Sequence, residues 1–212
     1  MTSPLFIFGT GGQARDVADI AVALDYRPVF ITHDPEIFER WNGLDELVLE
    51  SHIAKRTQEV FAIGVGDNTL RSKIAEHYAE SLNFINLIHP DTSFGRNQRE
   101  RINEKSGVIV FAGARFTSNI SVGNFCTFNL NTSVSHDCEI EDFVNISPNA
   151  SIAGNVYIGN GAWIGMGATV NQGTDARKLQ IGELTVIGSG AAVIGDCEPF
   201  STYVGVPARK IR

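Results

Sequence analysis

Large apolar side chains recur at every sixth position through one long stretch of the chain. The unbroken series is Val110, Phe116, Val122, Phe128, Val134, Ile140, Ile146, Ile152, Ile158, Ile164 and Val170. A second series, mostly of small residues, follows four positions after each, from Ala114 to Ala168. This period fits neither an α-helix, which repeats about every 3.6 residues, nor a strand, which repeats about every 2. It predicts a solenoid of short strands joined by tight corners, in which three hexads make one triangular coil.

The register of the hexads breaks once, after Val170. The next clear apolar positions are Ile181, Ile187 and Val193. The interval fits either two hexads shortened by a residue or one hexad plus a five-residue insertion. Residues 173–179 are mostly polar, so we expect them to project as a loop, and projecting loops often carry function in solenoids.

Residues 1–90 alternate apolar runs with helical patterns and predict a small parallel α/β unit. The run 5–8 leads through a glycine loop into a helical pattern at 14–24, and further strands are predicted at 29–32, 60–65 and 84–88. A second glycine turn at 66–68 opens a helix that reaches residue 80. Ligands of parallel sheets bind at the carboxyl ends of the strands, so both glycine turns should meet at one edge.

The first glycine loop satisfies the pattern G-x-G-x-x-A through Gly9, Gly11 and Ala14, and Asp34 follows the second strand. This is the dinucleotide fingerprint, in which backbone N–H groups at a helix N-terminus bind phosphate. A full NAD domain needs more strands than fit before residue 90. The alternative is a tight turn between strand and helix that binds no ligand.

Composition narrows the function classes. The net charge is −7 and the pI is near 5.2, which argues against a general nucleic-acid binder. No apolar run approaches the roughly 20 residues of a membrane helix, and the N-terminus lacks the pattern of a signal peptide. We therefore expect a cytoplasmic protein. Cys126, Cys138 and Cys197 fall at small-residue positions, where packing explains them without a disulfide or a metal.

Three runs carry a resemblance to known enzymes: residues 120–124, ISVGN; residues 156–170, VYIGNGAWIGMGATV; and residues 203–212, YVGVPARKIR. They resemble the hexapeptide-repeat acyltransferases, and within them the nucleotide-sugar acetyltransferases related to sialic-acid O-acetyltransferases and bacillosamine N-acetyltransferases. The resemblance implies a Rossmann-like βαβ domain over residues 1–90. It also implies a left-handed parallel β-helix with a C-terminal cap over residues 91–212.

The resemblance assigns substrate contacts to the N-terminal domain, which holds the nucleotide of a sugar substrate in these enzymes. Gly11 and Gly12 would approach its phosphates or base, and Asp34 its ribose or base. Asn68 and Arg71 would lie beside the sugar or the diphosphate. For Arg71, a solvated helix position is an equal alternative.

His136 is the only histidine after residue 90, and it is followed by Asp137. It lies two residues beyond the inward position Val134, so we expect it near a corner and directed outward. A histidine in such a place is usually an ordinary surface residue without a function. A neighbouring carboxylate can hold one ring nitrogen and stabilise the cation. The resembling enzymes place their general base in this motif, which implies that His136 and Asp137 are catalytic. Gly154, eighteen residues on, stacks one coil above His136, and the resemblance makes its N–H the donor to the developing oxyanion.

The resemblance also assigns contacts to acetyl-CoA. Backbone contacts map to Gly165, Met166 and Gly188, although the two glycines also suit tight turns. The bacillosamine enzymes carry a second histidine where this chain has Asn145. Arg209 and Lys210 are the candidates for the phosphates of coenzyme A. We expect Arg177 and Lys178 to be exposed to solvent, with the same phosphates as an alternative.

The first hypothesis is an acetyltransferase that moves acetyl from acetyl-CoA to the 4-amino group of a nucleotide-linked amino-deoxy sugar. The alternative is an O-acetyltransferase acting on a sialic-acid-like or other surface-polysaccharide sugar. A carbonic-anhydrase-like metalloenzyme would need three histidine ligands, and His136 is the only histidine after residue 90, so no metal is expected. A non-catalytic β-helix that acts as a scaffold is the remaining alternative. The resemblance further implies a homotrimer with active sites between subunits, and no partner among nucleic acids or membranes.

Overall fold

The computed structural model describes residues 2–53, 56 and 58–212. Its N-terminal part is a five-stranded parallel sheet in the order β3-β2-β1-β4-β5. The strands are β1 Pro4–Phe8, β2 Arg27–Thr32, β3 Glu46–Leu49, β4 Val60–Ile63 and β5 Asn83–Phe84. The helices that connect them are α1 Gly12–Ala23, α2 Pro35–Arg40 and α3 Asn68–Tyr78, with a 3₁₀ turn at Glu50–His52.

The two faces of this sheet are buried in different ways. One packs on α1 through a core that includes Val17, Ile20 and Phe30. The other is aromatic, and the rings of Phe6 and Phe61 lie 5.4 Å apart beneath α3. The predicted parallel α/β domain is confirmed, while α2 and the edge strand β3 were not predicted, since each is short and only partly buried.

Three parallel sheets form the faces of a β-helix in the second part of the chain. The first face contains β6 Leu87–Ile88, β8 Ile109–Val110, β11 Thr127–Phe128, β14 Asn145–Ile146, β17 Trp163–Ile164, β20 Val186–Ile187, β22 Thr202–Val204 and the antiparallel β23 Arg209–Lys210. The second contains β7 Ser93–Phe94, β9 Arg115–Phe116, β12 Ser133–Val134, β15 Ser151–Ile152, β18 Thr169–Val170 and β21 Ala192–Val193. The third contains β10 Ser121–Val122, β13 Glu139–Ile140, β16 Val156–Ile158 and β19 Leu179–Ile181.

The hexad prediction is confirmed residue by residue. Every member of the large apolar series is at most 3% exposed, and the small series from Ala114 to Ala168 is buried as well. Corner residues such as Asn119, Asn131 and Asn149 have φ of 57–59°. Asparagine tolerates this left-handed region better than most residues, which explains why it recurs at the corners.

The predicted strand at 84–88 is wrong as a single element. Asn83–Phe84 belongs to the N-terminal sheet, whereas Leu87–Ile88 pairs with β8 and starts the β-helix.

A fourth helix, α4 Gln98–Asn103, takes the place of the third-face strand in the first coil. The side-chain amide of Gln98 donates to the carbonyl of Ile120 at 2.7 Å and accepts from its N–H at 3.0 Å. One side chain therefore satisfies the edge of the third sheet as a neighbouring strand would. The predicted domain boundary between residues 90 and 91 stays a prediction.

The interruption after Val170 is an insertion. Ile158 pairs with Ile181, whereas the preceding rung of the same face joins Ile140 to Ile158 in the ordinary spacing. Residues 173–178 therefore leave the hexad pattern before β19 resumes it. Within the described part of the chain, no helix is long and apolar enough to cross a membrane.

Candidate active site at the His136 corner

The His136 corner connects β12 on the second face to β13 on the third. Asp137 occupies the left-handed region there, with φ of 60°, and its N–H donates to the carbonyl of Ser118 one coil below at 3.1 Å. This conformation turns the carboxylate back toward the preceding residue. Half of each side chain is exposed, 49% for His136 and 46% for Asp137, so the pair is fixed yet accessible.

A chain of hydrogen bonds orients the imidazole. His136 Nδ1 lies 2.8 Å from Asp137 Oδ2, and Asn119 Nδ2 donates to Asp137 Oδ1 at 2.6 Å. The bond from Asn119, and next that from His136, holds the pKa of Asp137 below its ordinary value. An ionised carboxylate at Nδ1 leaves Nε2 as the nitrogen that can accept a proton from a substrate.

Gly154 lies directly against the ring. A Cβ atom at this position would come within 2.5 Å of His136 Cε1 and 2.6 Å of Nε2. Among the described residues, none accepts a hydrogen bond from the Gly154 N–H. The predicted stacking of residues 136 and 154 is confirmed in this geometry, and Asn155 N–H donates to the His136 carbonyl at 2.8 Å.

The inserted segment covers the next rung above Gly154. Gly173 N–H donates to the Gly154 carbonyl at 3.0 Å, and Asn155 Nδ2 donates to the Thr174 carbonyl at 2.5 Å. Lys178 is only 23% exposed and donates to the backbone carbonyl of Asp137. The expectation that Lys178 is solvated is therefore wrong, because the loop folds back onto the His136 corner; Arg177, 64% exposed, pairs with Asp196.

The N-terminal glycine loop is open at the carboxyl edge of the sheet. Cβ atoms built on Gly11 and Gly12 would meet nothing within 4 Å, and Gly11 begins α1 without a side-chain cap. Asp34 instead caps α2, with its carboxylate accepting from Glu36 N–H at 2.8 Å. Gly11 and Gly12 are accessible to a ligand. The carboxylate of Asp34 caps α2, so a contact of this carboxylate with a ribose or base would compete with the capping hydrogen bond.

Asn68 and Arg71 join α3 to the β-helix, and the substrate contact assigned to Asn68 stays a prediction. Arg71 is 1% exposed and donates to the carbonyls of Phe125 and Phe143 at 2.9 and 2.8 Å. Its remaining N–H groups reach Val65, Gly66 and the side chain of Asn68. All five guanidinium donors are used within the chain. Burial lowers the pKa of Arg71 to about 10, which leaves it charged at neutral pH.

Asn68 completes the same contact by donating to the Gly161 carbonyl at 2.9 Å. Phe125, Phe143 and Gly161 are successive rungs of one corner, so the first turn of α3 binds three stacked coils. Both solvent exposure and a direct substrate contact are wrong for Arg71, because its donors fasten the N-terminal domain to the β-helix.

The positions assigned to acetyl-CoA lie away from the His136 corner, with Asn145 in strand β14 and Gly165, Met166 and Gly188 on the corner between the first and second faces. Asn145 is buried, donates to Ser147 Oγ at 3.0 Å and accepts from Asn129. Met166 is 56% exposed on the corner between the first and second faces. A Cβ at Gly165 would meet the Ile187 carbonyl at 2.6 Å, and one at Gly188 would meet Val204 at 2.8 Å. Both glycines therefore have a packing reason, the alternative that the sequence left open.

Arg209 and Lys210 lie in the C-terminal hairpin and line a cavity of about 210 Å³. Lys210 Nζ pairs with Glu198 Oε2 at 2.5 Å, and this hydrogen bond raises the pKa of Lys210. Arg209 is exposed. The contact of Arg209 and Lys210 with the phosphates of coenzyme A stays a prediction.

Sequence reasoning missed Asn119 and a cavity of about 530 Å³ beside the ends of β2 and β3, whose walls include His33, Glu50 and Tyr78, and it did not place Lys178 at the His136 corner. Asn119 had a signal, since it lies eighteen residues before Asp137 on the same corner. Lys178 had none, because the insertion has no periodicity. In the described ranges, no group of three or more His, Cys, Asp or Glu residues is arranged to hold a metal ion.

Comparisons with known proteins cover both parts of the chain. Residues 4–78 match the PglD N-terminal domain family, and residues 137–172 match the bacterial transferase hexapeptide (six repeats) family. A GDP-perosamine N-acetyltransferase from Escherichia coli O157:H7 is 28% identical over 215 residues, which is 97% of this chain and 95% of the relative.

Solved structures agree over the full length. The acetyltransferase domain of PglB from Neisseria gonorrhoeae FA1090, in complex with acetyl coenzyme A, has a TM-score of 0.85 at 26% identity and covers 100% of both chains. PerB from Caulobacter crescentus, in complex with CoA and GDP-perosamine, has a TM-score of 0.85 at 24% identity and supports the fold, covering 99% of this chain and 98% of that one. In its domain order, its hexapeptide coils and its full-length similarities, the chain is similar to the PglD-type hexapeptide-repeat acetyltransferases.

Proposed function

We propose that this protein transfers acetyl from acetyl-CoA to the 4-amino group of a nucleotide-linked amino-deoxy sugar. The observation that carries the proposal is the His136 corner, where a carboxylate-held imidazole packs directly against Gly154 one coil above. The full-length relatives support the reaction class, because the PglB domain binds acetyl coenzyme A and the E. coli relative is an N-acetyltransferase for GDP-perosamine.

The chemistry follows from this arrangement. The sugar amine attacks the thioester carbonyl, and His136 Nε2 removes the proton that the new amide nitrogen must lose. The carbonyl oxygen becomes negative in the tetrahedral intermediate, and the Gly154 N–H is the donor beside it. When the carbon–sulfur bond breaks, the protonated imidazole returns its proton to the thiolate of coenzyme A. Asp137 stabilises the imidazolium between these steps.

The nucleotide would bind at the carboxyl edge of the N-terminal sheet. Gly11 and Gly12 leave the N-terminus of α1 open there, and N–H groups at a helix start attract phosphate. The rigid docking of α3 on Phe125, Phe143 and Gly161 then fixes this edge relative to the β-helix. The distance between nucleotide and acetyl group is thereby set by the fold.

We further propose a homotrimer with acetyl-CoA bound between neighbouring β-helices. In one chain, His136 and Met166 lie on different corners of the β-helix, which supports a site shared between two subunits. Leu130 and Met166 expose 46% and 56% of their surface on the corner between the first and second faces. Light scattering should give a mass three times the 23.0 kDa of the chain, and a monomeric mass with full activity would contradict this assembly.

The deciding experiment is a panel of acceptors assayed with acetyl-CoA by release of the free thiol. It contains nucleotide-linked 4-amino sugars, the corresponding 4-hydroxy sugars, free amino sugars and unlinked sialic acids. We expect turnover with a nucleotide-linked amino sugar and a loss of at least a hundredfold in kcat/KM when the nucleotide is removed, since its binding energy is then lost. Turnover of unlinked sialic acids alone would support O-acetylation and overturn the proposal.

A further inference from the structure

The loop that interrupts the hexads is attached to the His136 corner. Its first residue, Gly173, packs so closely that a Cβ there would lie 2.1 Å from the Asn155 carbonyl oxygen. The hydrogen bonds from Gly173 to Gly154 and from Asn155 to Thr174 tie it to the rung above His136. An insertion held in this way has one defined position over the corner.

The last residue of the loop, Lys178, brings its ammonium group back to the same corner. Nζ donates to the Asp137 carbonyl, lies 3.2 Å from Asn155 Oδ1 and lies 3.5 Å from Glu139 Oε1. Three oxygen atoms match the three donors of an ammonium group. The other loop cation, Arg177, pairs with Asp196 at 2.7 Å and is far more exposed.

We propose that Lys178 is a positioning residue for the His136–Asp137 pair, a role that rests on the function proposed above. Asp137 holds a left-handed backbone conformation, and its carboxylate reaches His136 only while that peptide keeps its orientation. Its N–H is bound by Ser118 and its carboxylate by Asn119 and His136. Lys178 binds the remaining group, the carbonyl, so every polar atom of Asp137 is held.

Lys178 also places a positive charge at the corner. The charged groups around the imidazole are Asp137 and Glu139 on the β-helix and Lys178 on the loop, with Arg101 behind Asn119. Asn119, His136 and, more weakly, Lys178 lower the pKa of the Asp137 carboxyl. Removing the ammonium group therefore favours proton uptake by this carboxylate, which moves the acid limb of the activity profile to higher pH.

The test compares Lys178→Met with Lys178→Arg, and uses Lys73→Met as the matched control on an exposed position of α3. For Lys178→Met we expect kcat to fall about tenfold, KM for acetyl-CoA to stay within about twofold, and the acid limb to rise by roughly half a pH unit. Lys178→Arg keeps the charge and should recover most of both effects. Lys73→Met should match the unmodified protein.

A second variant and a second readout make the result independent of turnover. Glu139→Gln removes the negative neighbour and should move the acid limb in the opposite direction. NMR titration of the side-chain carboxylates, with the Asp137 signal assigned by its loss in Asp137→Asn, should show the Asp137 midpoint rising in Lys178→Met and falling in Glu139→Gln. Unchanged midpoints and an unchanged acid limb in Lys178→Met would overturn the positioning role. Absence of transfer by the unmodified protein would count against the proposed function, and the titration would still decide this inference.

Discussion

At the residue scale, the two nitrogens of His136 have different neighbours. Nδ1 is held by Asp137 and Nε2 faces Gly154. We predict that His136→Ala lowers kcat by roughly 10² to 10⁴, the usual contribution of a general base, and leaves the melting temperature nearly unchanged because the ring is half exposed. Steady-state thiol release and thermal unfolding check both parts. Unchanged acetyl transfer would favour another base or a scaffold.

Gly154→Ala tests the other half of the corner. The new methyl group would overlap the imidazole, since its position lies 2.6 Å from Nε2. The ring must rotate away from Asp137 or lose access to the N–H of residue 154. We predict a loss of more than a hundredfold in kcat, with acetyl-CoA affinity by calorimetry changed by less than about fivefold. Wild-type activity in this variant would show that the ring works in another orientation.

Single residues were predictable from the sequence where the coil period positions them. The spacing of eighteen put Gly154 over His136, and the structure has them in contact. Arg71 was assigned wrongly because a motif read along the chain does not reveal which basic side chain serves a tertiary contact. Lys178 was wrongly expected to be exposed for a related reason, since the path of a non-periodic loop depends on tertiary contacts that the sequence alone does not show.

At the element scale, α3 joins the two domains through side chains that bind backbone carbonyls. Removing the Arg71 guanidinium would leave the carbonyls of Phe125 and Phe143 buried without donors. We predict that Arg71→Met lowers the free energy of unfolding by about 3 kcal/mol, because each unsatisfied buried group costs about 1–3 kcal/mol.

Urea unfolding measures this change, with Arg15→Met on the exposed side of α1 as the control. Arg71→Lys should recover little of the loss, because lysine has three donors on one nitrogen and no fork. A change below about 0.5 kcal/mol in Arg71→Met would mean that the domains dock through apolar contacts alone.

Elements with a strong period were predicted well, and the irregular ones were not. The coil strands fall where the hexads place them, since burial inside a triangular prism imposes the period. Helix α4 escaped prediction because its role depends on one glutamine that satisfies the backbone of Ile120. Strands β5 and β6 were merged, as both are short and apolar although they belong to different sheets.

At the scale of the whole molecule, acid should weaken the fold partly through Asp196. The N–H of Gln180, and then Arg177, hold the pKa of Asp196 below its ordinary value of 3.8. A depressed pKa in the folded state stabilises the protein above the unfolded value, and this stability is lost as the pH falls through the folded value. We therefore predict that Asp196→Asn melts below the unmodified protein at pH 7, and that the difference shrinks between pH 4 and pH 2.

Thermal unfolding across this pH range measures the effect. Asp175→Asn, at an exposed position on the loop that carries Arg177, should differ in melting temperature from the unmodified protein by an amount that changes little with pH. If the difference in melting temperature between Asp196→Asn and the unmodified protein stays constant down to pH 2, Asp196 acts through packing rather than through its charge.

A stack of identical rungs has no built-in length, because each end offers unpaired backbone to whatever strand arrives next. Gln98 of α4 closes the third sheet at one end, and the antiparallel β23 folds over β22 at the other. The hairpin also exchanges hydrogen bonds with Ala192 of the second sheet. These terminations leave fewer unpaired strand edges at the two ends of the prism, which disfavours end-to-end growth of copies into a fibre.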